Sequence, residues 1–161
     1  MAENAIKPDG APAPYEDDFV AWTEVQAAAL RAGPSALARR DWANLAEEIA
    51  DLGSEQIDAM ESFARLIFEH LLYQAHGDAV NARHWKVEIL EFRGSLADKL
   101  RRNPGQRQRV DLQKCWRRAT QKAALKLARS DIAARGKAPP PLTLEQLEDE
   151  DGDIDDLIAR I

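Results

Sequence analysis

Three observations predict an all-α fold, a helical bundle of about five helices with a central hydrophobic third helix. Apolar residues recur at three- and four-residue intervals from Tyr15 onward. Glycine, proline and asparagine interrupt that recurrence where helix ends are due. No segment keeps the alternation of a half-buried strand, and no fixed-period repeat runs through the chain. With 161 residues, 45% of them hydrophobic, the chain is long enough for one compact domain.

Residues 1–14 contain three prolines and no periodic apolar residues, so they read as a disordered leader. The first helix carries Phe19, Trp22, Val25 or Gln26, Ala29 and Leu30, and Gly33-Pro34 stops it. Asp41 caps a second helix whose stripe is Trp42, Leu45, Ile49 and Leu52, with Gly53 as its end. Ser54 caps a third, running to about Ala75, whose apolar residues cover more than half its circumference and ask for neighbours on several sides. After Gly77-Asp78, Asn81 caps a fourth helix with Trp85, Ile89, Phe92, Leu96 and Leu100, and Asn103-Pro104-Gly105 closes it. A fifth, from about Gln106 to Ala134, carries Leu112, Trp116, Ala119, Ala123 and Leu127 on one face. The bundle domain is thus expected over residues 15–137.

Residues 138–161 read as a stiff proline spacer, Pro139-Pro140-Pro141, and an acidic appendage. Thr143 and Gln146 stand at capping-box spacing, and Ile154, Leu157, Ile158 and Ile161 suggest a turn or two able to dock on the bundle.

Charge is segregated along the chain. Residues 1–92 balance at −10, residues 93–137 at +11 and residues 138–161 at −7, within a net charge of −6. This pattern suits either a nucleic-acid surface or basic and acidic parts that face each other. No apolar run approaches a membrane span and no secretory signal pattern opens the chain, which places it in the cytoplasm without a membrane partner. The single cysteine, Cys115, agrees with a reducing compartment and reads as an inert buried thiol.

Several short words stand out in order: Tyr15-Glu16-Asp17-Asp18-Phe19 with Trp22, Leu30-Arg31-Ala32-Gly33, Leu45 with Glu47-Glu48-Ile49, Leu52-Gly53, His70-Leu71-Leu72, Trp85 with Ile89 and Arg93, and Asn103-Pro104. Together they resemble the bacterial family catalogued as domain of unknown function 29, over about Tyr15 to Leu147. The resemblance implies a soluble, all-helical bacterial protein and carries no established activity. Two features depart from the family pattern. Tyr73-Gln74 stands where a lysine and an aromatic residue often follow His-Leu-Leu. The last long helix is strongly basic, with Trp116 where a tyrosine is usual.

At one hundred degrees per residue, Glu48 falls at the edge of its helix's apolar stripe and Glu47 points away. His70 falls inside the broad apolar arc of the next helix and Glu69 opposite it. His70 therefore reads first as a neutral core histidine with satisfied ring nitrogens. The competing reading is a small-ligand-binding or hydrolytic site built from Glu48, His70, Trp85 and Arg93, with Glu48 and His70 as acid-base candidates. No nucleophile elbow, phosphate loop or Glu-x-x-His pair supports an enzyme, and three histidines with one cysteine predict no metal and no cofactor. Trp22, Trp42, Trp85 and Trp116 each sit on an apolar helix face and read as core.

Lys114, Arg118, Lys122, Lys126 and Arg129 form a cationic ridge on the fifth helix. It reads first as a solvated face, then as a contact for the acidic tail or for a polyanion such as nucleic acid. The leading functional reading is a helical binding or interaction module, with an unknown protein partner or self-association; a nucleic-acid-associated module comes third.

Overall fold

The computed structural model describes residues 17–32 and 42–161, and side chains within these except those of Ala29 and residues 42–45. The expected leader and the Gly33-Pro34 stop lie outside the described residues. All regular structure among the described residues is helical. The elements are α1 (Phe19–Ala32), α2 (Trp42–His76), α3 (Ala82–Arg102), a 3-10 helix (Pro104–Arg109), α4 (Leu112–Lys126), α5 (Ser130–Arg135), α6 (Leu144–Glu148) and α7 (Ile154–Ile158). No helix among the described residues is long and apolar enough to cross a membrane.

Two expected boundaries are corrected. The second and third helices are one 35-residue helix, α2, and Gly53 lies in its interior. The reason for that glycine is steric: a Cβ there would stand 2.2 Å from Thr23 Oγ1. Gly53 thus lets α1 approach α2, at a propensity cost of only about 1 kcal/mol. The fifth helix, expected whole over 106–134, is three pieces. Asp111 caps α4, its Oδ1 accepting the Lys114 amide at 2.8 Å. At the other end Ala128 takes φ 53°, while the Arg129 amide donates to Ala124 O and the Ala128 amide to Leu125 O. That is a Schellman closure with alanine where glycine is usual, so the 3.6-residue period gave no warning of it.

The chain forms two compact units, residues 1–59 with 99–109, and residues 60–98 with 110–161. In the first, Asp18 caps α1 through Oδ1 to the Ala21 amide at 3.0 Å, and its Oδ2 accepts the Gly105 amide at 3.0 Å. Asn103 Oδ1 accepts the Val20 amide at 3.3 Å. These contacts tie the start of α1 to the 3-10 helix.

In the second unit the C-terminal part of α2 supplies Met60, Ala64, Ile67, Phe68, Leu71 and Leu72, all fully buried, as the central hydrophobic helix. Phe68 meets Trp116 edge-on at 5.2 Å, and the Trp116 indole donates to Arg135 O at 3.0 Å, which holds α5 against α4. Residues 138–161, expected as an appendage, pack in this unit through buried Leu142, Leu144, Leu147 and Leu157. The Thr143–Gln146 capping box is present, and α7 follows as the docking turn.

Candidate functional site

The four residues grouped by sequence are divided by the fold. Glu48 is exposed, contrary to its expected place beside the core. The inward face of α2 there is Ala46, Gly53, Ile57 and Met60, whereas Leu52 of the expected stripe is 49% exposed. Small residues were chosen by close helix approach, so residue size pointed to the wrong face.

His70 is buried, and its ring is fully engaged. Nδ1 lies 2.7 Å from Leu66 O and Nε2 lies 3.0 Å from Glu88 Oε2 on α3. Tyr73 and Phe92 meet the imidazole edge-on, each with centroids 5.2 Å away. Trp85, also buried, leans on Tyr73 at 5.7 Å, so His70 and Trp85 share one aromatic neighbour. The neighbouring Gly77 leaves room for the Trp85 ring, whose Cη2 a Cβ would meet at 2.5 Å.

Arg93 faces the C-terminal segment. Fully buried, it donates from Nη1 to Gly152 O at 2.8 Å and from Nε to Leu147 O at 3.3 Å. Burial lowers the guanidinium's proton affinity from its ordinary value, with Asp149 and Glu150 opposing that shift. A buried charge of this kind survives where polar atoms replace its hydration; here backbone carbonyls do so at Nε and Nη1, while the buried Nη2 has no hydrogen-bond partner.

The basic ridge finds its partners on α2. Lys114 Nζ contacts Glu61 Oε2 at 2.5 Å, Lys122 Nζ contacts Glu69 Oε2 at 3.1 Å, and Lys126 Nζ sits 4.2 Å above the Tyr73 ring. Glu69, expected on the solvated side, is therefore only 1% exposed, held also by Arg65. Of the remaining ridge residues, Arg129 pairs with Asp131 at 2.8 Å and Arg118 is exposed. The acidic tail meets α3, through Arg93 and through Lys86 Nζ to Asp155 Oδ1 at 2.6 Å. Position spacing carried a signal for the ladder: Glu61, Glu69, Tyr73 and Lys114, Lys122, Lys126 share intervals of eight and four, as two parallel, in-register helices require.

Two ionisable groups are silenced by burial. The Cys115 thiol, donating to Glu61 O at 3.3 Å, is pushed up to about 12 by burial, with Glu61 and Asp111 adding to the shift. Burial and then Glu69 push the Tyr73 phenol up to about 12. Neither serves as a nucleophile near neutral pH. A different surface, the corner between α4 and α5, forms an open groove of about 640 Å³ lined by Gln121, Ala124, Leu125, Ala128, Arg129 and Ala133, among others. Leu125 beside it is 85% exposed.

These features define an all-helical protein whose polar interior serves chiefly to join its helices. The chain belongs to the family described as Domain of unknown function DUF29, whose model matches residues 14–151. It is similar to an alpha-helical protein of unknown function from Rhodospirillum rubrum, solved by crystallography, with a TM-score of 0.75 and 28% identity; the match covers 92% of this chain and 98% of that one. The curated proteins contain no match.

Proposed function

We propose that this chain is an interaction module, working in the cytoplasm, that docks an acidic amphipathic segment of a partner protein at the α4–α5 corner. The observation that carries the reading is the apolar groove with a protruding Leu125 set among cations. Ala124, Leu125, Ala128 and Ala133 supply apolar surface, and Arg117 and Arg118 lie exposed on α4, with Lys122 and Arg129, exposed though paired with Glu69 and Asp131, close by in sequence. A groove of this size suits a few apolar side chains, and flanking charge selects an acidic partner.

The aromatic residue of α4 favours protein over nucleic acid. Trp116 is 3% exposed and its indole is committed to Arg135 O, so it offers no stacking platform for bases.

The test is fluorescence anisotropy with two synthetic probes, an acidic helical peptide carrying leucines at i and i+4, and a single-stranded oligonucleotide. Peptide binding that weakens with salt and is lost in both Leu125→Glu and Arg118→Glu supports the reading. Peptide binding indifferent to Leu125→Glu, or tighter binding of the oligonucleotide, overturns it.

A further inference from the structure

We infer that the outward face of α3 is the seam of a homodimer, in which α3 packs antiparallel against α3 of a second copy about a two-fold axis at Val87. Gly94 is the first sign of it. It lies in the interior of α3, where glycine is less favourable than alanine. At Gly53, Gly77, Gly105, Gly136 and Gly152 a Cβ would come within 2.7 Å of another atom of the chain, whereas at Gly94 it would meet nothing nearer than Glu150 Oε2 at 3.4 Å, an ordinary contact. The packing of this chain therefore gives no reason for the missing side chain. Close approach of a second helix from outside does, because the distance between packed helices is set by the side chains at the contact.

The same face carries exposed apolar side chains. Val87 and Leu90 stand within about 40° of Gly94 on the helix surface, and Val80 precedes them in a turn whose amide Asp78 Oδ1 accepts at 3.1 Å. These are three of the five large apolar side chains exposed among the described residues, Val80 at 89%. Charge then names the occupant. Arg83 and Glu91, both exposed and without an ion pair among the described residues, lie one turn before and one turn after Val87. A two-fold contact must be complementary to itself. With α3 antiparallel and Val87 on the axis, Arg83 faces the partner's Glu91 and Glu91 faces the partner's Arg83, so one pair of charges closes both ends of the seam. A parallel pair would set like charges together. Leu90 lies over the aliphatic stem of the partner's Arg83, and Gly94 leaves room for the partner's Val80. A seam about three turns long is smaller than the about 800 Å² per partner of a standard interface, which makes the dimer a transient, concentration-dependent one.

The test is sedimentation velocity of the full chain over a concentration series. The expected result is a monomer–dimer equilibrium weakened at least about tenfold by Arg83→Glu and by Glu91→Arg, since the two-fold repeats each like-charge contact. Mixing those two variants restores association, because each then meets opposite charge on the other. Both side chains are exposed, so the variants keep the wild-type circular dichroism. Gly94→Ala raises the thermal midpoint of the dilute chain and weakens the dimer, an opposition that a glycine with an internal role would not produce. A chain still monomeric at about 1 mM overturns the inference and leaves the face to a partner of another kind. A dimer unmoved by both reversals, or lost in them and not regained in the mixture, overturns it as well. So does a dimer abolished by Leu125→Glu and indifferent to the α3 variants, which moves the contact to the α4–α5 corner.

Discussion

Gly53→Ala pits two effects of opposite sign against each other. On an exposed helix the change would stabilise by about 1 kcal/mol, because alanine restricts the unfolded chain and favours helix. Here the new Cβ would lie 2.2 Å from Thr23 Oγ1 and 3.4 Å from Thr23 Cβ. Thr23 is fully buried and its hydroxyl donates to Val20 O at 2.8 Å, so retreat breaks a bond as well as moving an atom. Overpacking of this kind costs about 1–3 kcal/mol, and the displaced hydroxyl about 1 more. The clash wins, leaving a net loss of about 1–3 kcal/mol, or about 3–9 °C in Tm for a chain of this size. Hydrogen exchange at the α1 amides reads the loss in the first unit alone. In a Thr23→Ala background the sign reverses, and Gly53→Ala becomes stabilising. Should Gly53→Ala stabilise the chain while Thr23 is intact, the close-approach argument is wrong.

Other outcomes follow from the second unit. Arg93→Met, which strands the Leu147 and Gly152 carbonyls, lowers stability by about 2–3 kcal/mol and opens residues 138–161 to limited proteolysis; an unchanged digestion pattern would refute that anchoring. Because burial raises Cys115 and Tyr73 to about 12, from ordinary values of 9.0 and 10.0, the unfolded chain loses those protons first. Stability is therefore intact below about pH 9 and falls between pH 9 and 12, by up to about 1.4 kcal/mol per pH unit per group. Urea midpoints across that range, compared with a Cys115→Ala, Tyr73→Phe variant whose slope is shallower, check the sign. Ala128→Gly relieves the left-handed backbone and raises stability by about 1 kcal/mol, readable as a higher urea midpoint with unchanged m.

Large periodic side chains made the helices of the second unit legible, from the Phe68 face of α2 to the Trp85-Ile89 stripe of α3. Small residues hid the rest. Gly53 reads as a stop in a one-dimensional pattern because its reason, the Thr23 side chain, lies thirty residues away in sequence. Ala128 gives no sign of a corner, since its positive φ is stabilised by the Trp116–Arg135 contact and by buried Ile132. For the candidate site, the apolar arc located His70 correctly, but the same arc sent Glu69 to solvent. That residue's burial depends on lysines of another helix, and only the matched eight-and-four spacing hints at them. The words Asp18 and Asn103-Pro104 were visible as words; that both serve the junction of α1 with the 3-10 helix was not.

The Arg93 cradle bears on how the chain is made. Its two carbonyl partners lie 54 and 59 residues downstream, so a nascent chain displays this guanidinium to solvent until residues 147–152 have left the ribosome. The second unit's interior is then completed only after residue 152 has been made. A chain stalled before that point would present an unfinished core, with its arginine exposed, to whatever cellular machinery inspects incomplete proteins.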